Sequence, residues 1–237
     1  MILVIVTWWL ASPFTIRHAR VVQRIGQTLV GPIMAVGEWG SPRSQYTGSQ
    51  ISSYLWPNGT LPNSAEFDSL VRSGFADYRL RVTGLVENPR TFSYAELKAM
   101  PKQEQITEHF CIHGWSGVAQ WGGVAMRHIL DIVKPTDDAR YAAFYSLSEG
   151  LTGGGYYDVH KIENMRHELT ILAYEMNGAP LSVLHGAPLR LRDENELGFK
   201  MVKWIAAIEF VRDFADLGAG QGSYNEDHEF YGYRMPI

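Results

Sequence analysis

His109-Phe110-Cys111-Ile112-His113-Gly114-Trp115-Ser116 holds the only cysteine of a 237-residue chain and sets it among histidine, glycine and tryptophan. A lone cysteine cannot close an internal disulfide. Three roles stay open for it: a thiol that only packs, a redox-active nucleophile, or a metal ligand. The next residues, Trp115-Ser116-Gly117-Val118-Ala119-Gln120-Trp121-Gly122-Gly123, are too rich in glycine and tryptophan for an ordinary strand or helix interior. They predict a chain folded closely around something. Upstream, Gln105 to Ile112 reads as a strand running into the cysteine, which places the thiol at a strand end, where loops build sites on a rigid frame.

The length suits one well-buried domain, or one domain with a small appendage. Hydrophobic residues make up 46% of the chain and charged ones 19%, which supplies an ample core and argues against extended disorder. A formal charge of −4 carries no basic excess, so nothing points to a nucleic-acid partner. Twelve tyrosines and seven tryptophans point to a large aromatic interior or pocket.

At the N-terminus, Met1 to Phe14 is almost wholly apolar but falls short of the roughly 20 residues that a spanning helix needs. No positive n-region precedes it, and the basic Arg17-His18-Ala19-Arg20 follows. A membrane-anchor remnant, an interfacial anchor and an element packed on the domain all fit. Residues 1–45 are set apart as an apolar N-terminal segment and arm, a possible membrane-anchor remnant, with the main domain, 46–237, following. From Gly31 to Pro62 the density of Gly, Pro, Ser and Asn predicts a long arm, with an aromatic piece, Ile51 to Gly59, docked on the domain.

Tyr78 to Val86 alternates and stops at Asn88-Pro89, a strand and its turn. Ser93-Tyr94-Ala95-Glu96 has capping-box spacing and starts a short helix ending before Pro101. Met126, Ile129, Leu130 and Val133 recur at helical spacing up to Pro135. Arg140–Leu147 and Lys200–Val211 are β-rich, Leu169–Met176 is a strongly apolar element, and Glu149–Gly155 is a glycine-rich turn. Short strands with three or so helices predict an α+β architecture. There is no phosphate loop and no dinucleotide glycine fingerprint.

Structural zinc sites draw on four Cys or His ligands at short spacing, which a single cysteine does not supply. A hydrolytic thiolate needs an oriented imidazole, and eight histidines make chance pairing easy. One thiolate on a soft metal whose other ligands come from an organic cofactor also fits. An anionic cofactor then needs cations and backbone donors elsewhere. His185 and Arg190 flank a Gly-Ala-Pro turn, with Lys200 and Lys203 following.

These residues carry a family resemblance. Phe110-Cys111, Gly114-Trp115-Ser116, Trp121-Gly-Gly-Val124, Leu172 to Gly178, His185 to Arg190 and Gly198 to Trp204 together resemble the molybdopterin-binding domain of the sulfite oxidase superfamily over roughly Tyr46 to Ile237. The Cys-x-x-Gly-Trp-Ser form is similar to the bacterial branch that includes the molybdenum subunit of periplasmic methionine sulfoxide reductase. The resemblance implies a sulfite-oxidase-type fold of mixed sheets with a few short helices, and molybdenum held by one molybdopterin and by the thiolate of Cys111. It further implies that Ser146, His185, Arg190, Met201, Val202 and Lys203 contact the cofactor, Met201 and Val202 through backbone atoms. Ser52, Leu55, Trp56 and Asn58 lie in the stretch resembling the family's cofactor-covering loop. Tyr156, Tyr157 and Asp158 are expected on the substrate side, and Tyr231 at the family's active-site tyrosine. The arginines that hold sulfite in animal relatives are replaced here by Pro57 and Ser116, and a dianion without paired cations binds weakly.

The resulting expectation is a molybdenum-cofactor oxidoreductase that moves an oxygen atom and two electrons to or from a small sulfur-containing substrate such as an S-oxide. A sulfite-oxidising enzyme and a non-catalytic binding or assembly module of the same fold are the alternatives. The chain shows no heme-binding or flavin signature of its own, so a redox partner, a membrane or soluble cytochrome, is expected. The apolar N-terminus favours a periplasmic or membrane-associated location over the cytoplasm.

Overall fold

The computed structural model describes residues 46–111 and 115–228; the expectations for residues 1–45, His113 and Tyr231 lie outside the described residues. Among the described residues the arm contains a 3-10 turn, Gly48–Gln50, before helix α1 at Ala65–Arg72, which Ser64 caps by accepting from the Phe67 amide. Strand β1 (Arg79–Gly84) turns into β2 (Arg90–Ser93), and helix α2 (Tyr94–Ala99) starts on the expected capping box of Ser93 and Glu96. Strands β3 (Lys102–Phe110) and β4 (Ser116–Ala125) flank the cysteine loop, and α3 follows at Met126–Val133. Next come β5 (Tyr141–Glu149), β6 (Gly155–Lys161), helix α4 (Ile162–Arg166), β7 (Ile171–Met176) and the two-residue β8 (Ala179–Pro180). Strand β9 (Arg190–Arg192), β10 (Ile205–Val211) and helix α5 (Tyr224–Asp227) complete the described chain.

Two five-stranded sheets result. The first runs β2-β1-β10-β5-β6, with β1 and β10 parallel and the other pairs antiparallel. The second runs β3-β4-β7-β8, with β9 also paired to β7, all antiparallel. One buried cluster joins them: Leu80, Phe144, Ile208 and Phe210 from the first sheet meet Val124, Leu172 and Leu191 from the second. Helix α3 lies in the same cluster, because its Met126, Ile129, Leu130 and Val133 form a single apolar stripe and all four are buried. The α+β architecture is as the periodicities predict, and α1, α4 and α5 are additional short helices.

The Trp115–Gly123 run corrects its reading. It is not an irregular wrap but lies mostly in β4, at ten residues the longest strand among the described residues. Its glycines serve sheet packing. Gly123 sits at a register shift against β7, where a Cβ would stand 2.2 Å from the Leu172 carbonyl oxygen. Composition alone does not distinguish such a tightly packed strand from a loop.

Candidate active site

Cys111 leaves the end of β3 with its backbone amide bonded to the Trp115 carbonyl at 2.9 Å, and its buried side chain borders a cavity of about 580 Å³. The arm forms the opposite wall. Ser52 fastens it to β4 through its amide on the Val118 carbonyl (2.9 Å) and its hydroxyl, which accepts from the Val118 amide (3.0 Å). Leu55 is then buried, while Trp56, Pro57 and Asn58 run along the cavity. Ser52 does not line the cavity, whose arm-side wall begins at Leu55.

The loop from η-turn Val183–His185 to β9 supplies the third side. His185 bonds Ser182 through Nδ1 (2.8 Å) and the Leu55 carbonyl through Nε2 (3.0 Å), so its imidazole ties the arm to this loop. Burial holds the His185 pKa below the usual imidazole value, against the opposing bond to Leu55 and with Arg190 and Lys203 adding to the depression. Arg190 lies over the Trp121 ring at 4.8 Å and donates from Nη1 to the His185 carbonyl at 3.1 Å. Its buried Nε meets no hydrogen-bond partner among the described residues. Burial pushes the guanidinium pKa down to about 9, with Arg192 adding repulsion.

Lys203 closes the ring. Its Nζ bonds the carbonyls of Asn58 and of Leu184, the latter at 2.9 Å, and stands over Trp204 at 4.1 Å. Burial, with repulsion from Arg190, pulls its pKa down to about 7. Ser146 borders the same cavity, its hydroxyl donating to the Lys203 carbonyl at 2.8 Å. Met201 and Val202 line it too, with their amides bonded within the turn to Gly198 and Lys200.

Of the three substrate-side residues expected after the glycine turn, only Tyr156 borders the cavity, with its hydroxyl on the Phe199 carbonyl at 2.9 Å. Side chains alternate along β6, so Tyr157 faces away, stacks on Tyr145 and bonds Asp227. Asp158 shares the Tyr156 face but is wholly buried, paired with Lys200 at 2.6 Å. Lys200 in turn meets Glu226 at 3.2 Å, so it belongs to a buried ionic cluster and not to the cavity's cations. Burial and the neighbouring Asp158 push Glu226 up to about 8, against the pull of Lys200.

Tyr224 and Asn225 line the cavity without a usable sequence signal, whereas Phe199 and Trp204 lie in the Gly198 to Trp204 stretch and His109 is a neighbour of the cysteine. Burial, then Arg192, Arg190 and Lys203, drive the His109 pKa down to about 2, so the ring is neutral.

The donor set fits an anionic group joined to a soft metal. Among the described residues, neither Arg190 nor Lys203 has a carboxylate partner, and no three His, Cys, Asp or Glu side chains converge as a protein-only metal site. A single thiol with unpaired cations across a cavity instead leaves the remaining metal ligands to an organic cofactor. Because Lys203 is charged below about pH 7 and largely neutral above it, anion binding is expected to strengthen as pH falls. Calorimetric titration of the apoprotein with inorganic sulfate should give about tenfold tighter binding at pH 6 than at pH 8. Lys203→Met should flatten that dependence.

The oxidoreductase molybdopterin binding domain family matches residues 68–216. YedZ1 of Azospira oryzae is 31% identical over 155 residues, covering 65% of this chain and 55% of that protein. The protein-methionine-sulfoxide reductase catalytic subunit MsrP of Xanthomonas campestris pv. campestris is 35% identical over 144 residues, 56% of this chain and 45% of that one. The chain thus spans about half the length of the curated relatives it matches. Among solved structures, the sulfane dehydrogenase SoxCD of Paracoccus pantotrophus superposes with a TM-score of 0.52 at 20% identity, over 63% of this chain and 40% of that one, a likeness of fold.

Proposed function

This chain belongs to the oxidoreductase molybdopterin binding domain family, and from that premise we propose that it reduces a small S-oxide by two-electron oxygen-atom transfer. The sulfur–oxygen bond breaks, the sulfur is reduced to a thioether, and the oxygen leaves as water after taking up two protons and two electrons. A redox partner supplies the electrons. When bound, the molybdenum-molybdopterin cofactor supplies the oxygen-atom transfer chemistry. Cys111 would hold the metal as its thiolate ligand. Arg190 and Lys203 would neutralise the cofactor's phosphate, whose charge would favour the protonated form of Lys203. His185 ties the arm down at Leu55, whose buried side chain helps to exclude water from the reacting centre. Tyr156 forms part of the cavity wall beside the substrate, its hydroxyl held between the Phe199 carbonyl and the Asn225 amide.

The observation that supports this reading most directly is the meeting of Cys111, Arg190 and Lys203, distant in sequence, around one cavity. Sulfite is disfavoured. The resemblance puts Pro57 and Ser116 where animal relatives hold sulfite with arginines, and Ser116 instead donates its hydroxyl to Glu108 outside the cavity. The Xanthomonas relative is named a catalytic subunit, which accords with a separate electron-donating subunit. The apolar Met1 to Phe14 favours a periplasmic or membrane-associated setting.

Protein purified from a cofactor-competent host should carry stoichiometric molybdenum and reduce methionine sulfoxide with a reduced viologen dye. Sulfite-dependent ferricyanide reduction should be slight. Absence of molybdenum would defeat the reading, and sulfite turnover exceeding S-oxide turnover would reverse the substrate assignment.

A further inference from the structure

The buried face of β3 is polar: Gln105, Thr107 and His109 all point inward. One buried ion pair accounts for this. Arg192 donates to Glu194 from Nε at 2.9 Å and from Nη2 at 2.7 Å, while Gln105 (3.1 Å) and Thr107 (3.0 Å) donate to the same carboxylate. The guanidinium also lies over the Trp121 ring at 4.4 Å, which fixes its plane. From that frame Arg192 directs Nη1 to His109 Nδ1 at 2.8 Å. A guanidinium only donates, so Nδ1 accepts and the ring proton sits on Nε2. Nε2 has no partner among the described residues. That edge of the ring packs on Gly198 beside the cavity, where a Cβ would stand 2.3 Å from Nε2.

We propose that His109, locked in its Nε2–H form by Arg192, donates a hydrogen bond to an anionic acceptor atom of the molybdenum cofactor next to Cys111. The inference rests on the cofactor reading above. A fixed donor stabilises the electron-rich, reduced centre more than the oxidised one, and so raises its reduction potential. Arg192 acts only through the imidazole and is a positioning residue. The glycine at 198 is then required by the ring that packs against it.

The test is a redox titration of purified holoproteins, following the molybdenum(V) electron paramagnetic resonance signal alongside molybdenum content. His109→Leu should retain molybdenum, shift the potential downward and alter the signal's g-values, with His109→Gln restoring part of the shift. Arg192→Lys keeps a charge for Glu194 but loses the fork; it should shift the potential the same way by less, and add nothing in the His109→Leu background. An unchanged potential and spectrum in molybdenum-replete His109→Leu overturns the proposal. Should that variant not fold, the same null result in Arg192→Lys overturns it. Wild-type protein without molybdenum would instead overturn the cofactor reading, so the two failures are distinct.

Discussion

On the proposed function, Cys111→Ala is expected to fold and yet lose more than about 100-fold of the S-oxide reductase turnover, since removing a proposed direct metal ligand should exceed the 10–100-fold typical of residues that merely support one. Cys111 is the chain's only cysteine, so no second thiol can take its place. The side chain is small and lies at a cavity edge, so the substitution removes little packing. Unfolding midpoints within a few degrees of wild type, with molybdenum content and turnover both collapsed, would separate a ligand role from a packing one. Full turnover in the variant would instead contradict the ligand role of Cys111.

Lys200→Ala should be the most damaging substitution for stability away from the cavity. The lysine lies between Asp158 and Glu226, all three buried; among the described residues its loss leaves Glu226 without a cation and Asp158 with only the His160 imidazole, 3.8 Å away. Breaking a buried ion pair this way costs about 3–5 kcal/mol. The pH dependence has a definite sign. Glu226 is pushed up to about 8 from an ordinary 4.5, so the folded state holds its proton over a range where the unfolded chain releases it. That contribution is complete below about 4.5 and fades as pH rises through about 8. Without Lys200 the carboxyls depend still more on protonation, and urea unfolding should show a larger deficit at pH 8 than at pH 5. A deficit that is small, or greater at pH 5, would contradict this account of the cluster. The cluster bears on the site because Phe199, Met201, Val202 and Lys203, on either side of Lys200, all line the cavity.

Elements with a strong period were legible in the chain: α3 from its four-residue stripe, α2 from its capping box, and β1 from alternation up to Asn88-Pro89. Strand β4 was not, because its glycines answer a neighbouring backbone at Gly123 that no local pattern reveals. The same limit applied along β6. Tyr156, Tyr157 and Asp158 are adjacent in sequence, but pleating sends Tyr157 to the far face and packing buries Asp158 on Lys200. Lys200 and Lys203 look equivalent as text, and only the carboxylates brought near Lys200 divide a structural cation from a cavity one.

By itself the sequence determined the fold class, the family and the chemical poles of the site, Cys111, Arg190 and Lys203, because residue type and order are local properties. The tertiary structure decided which neighbours share a face, which charges find partners, and that His109 presents Nε2 to the cavity. Those depend on strand pleat, on desolvation and on contacts such as Arg192 with His109, made between residues far apart along the chain.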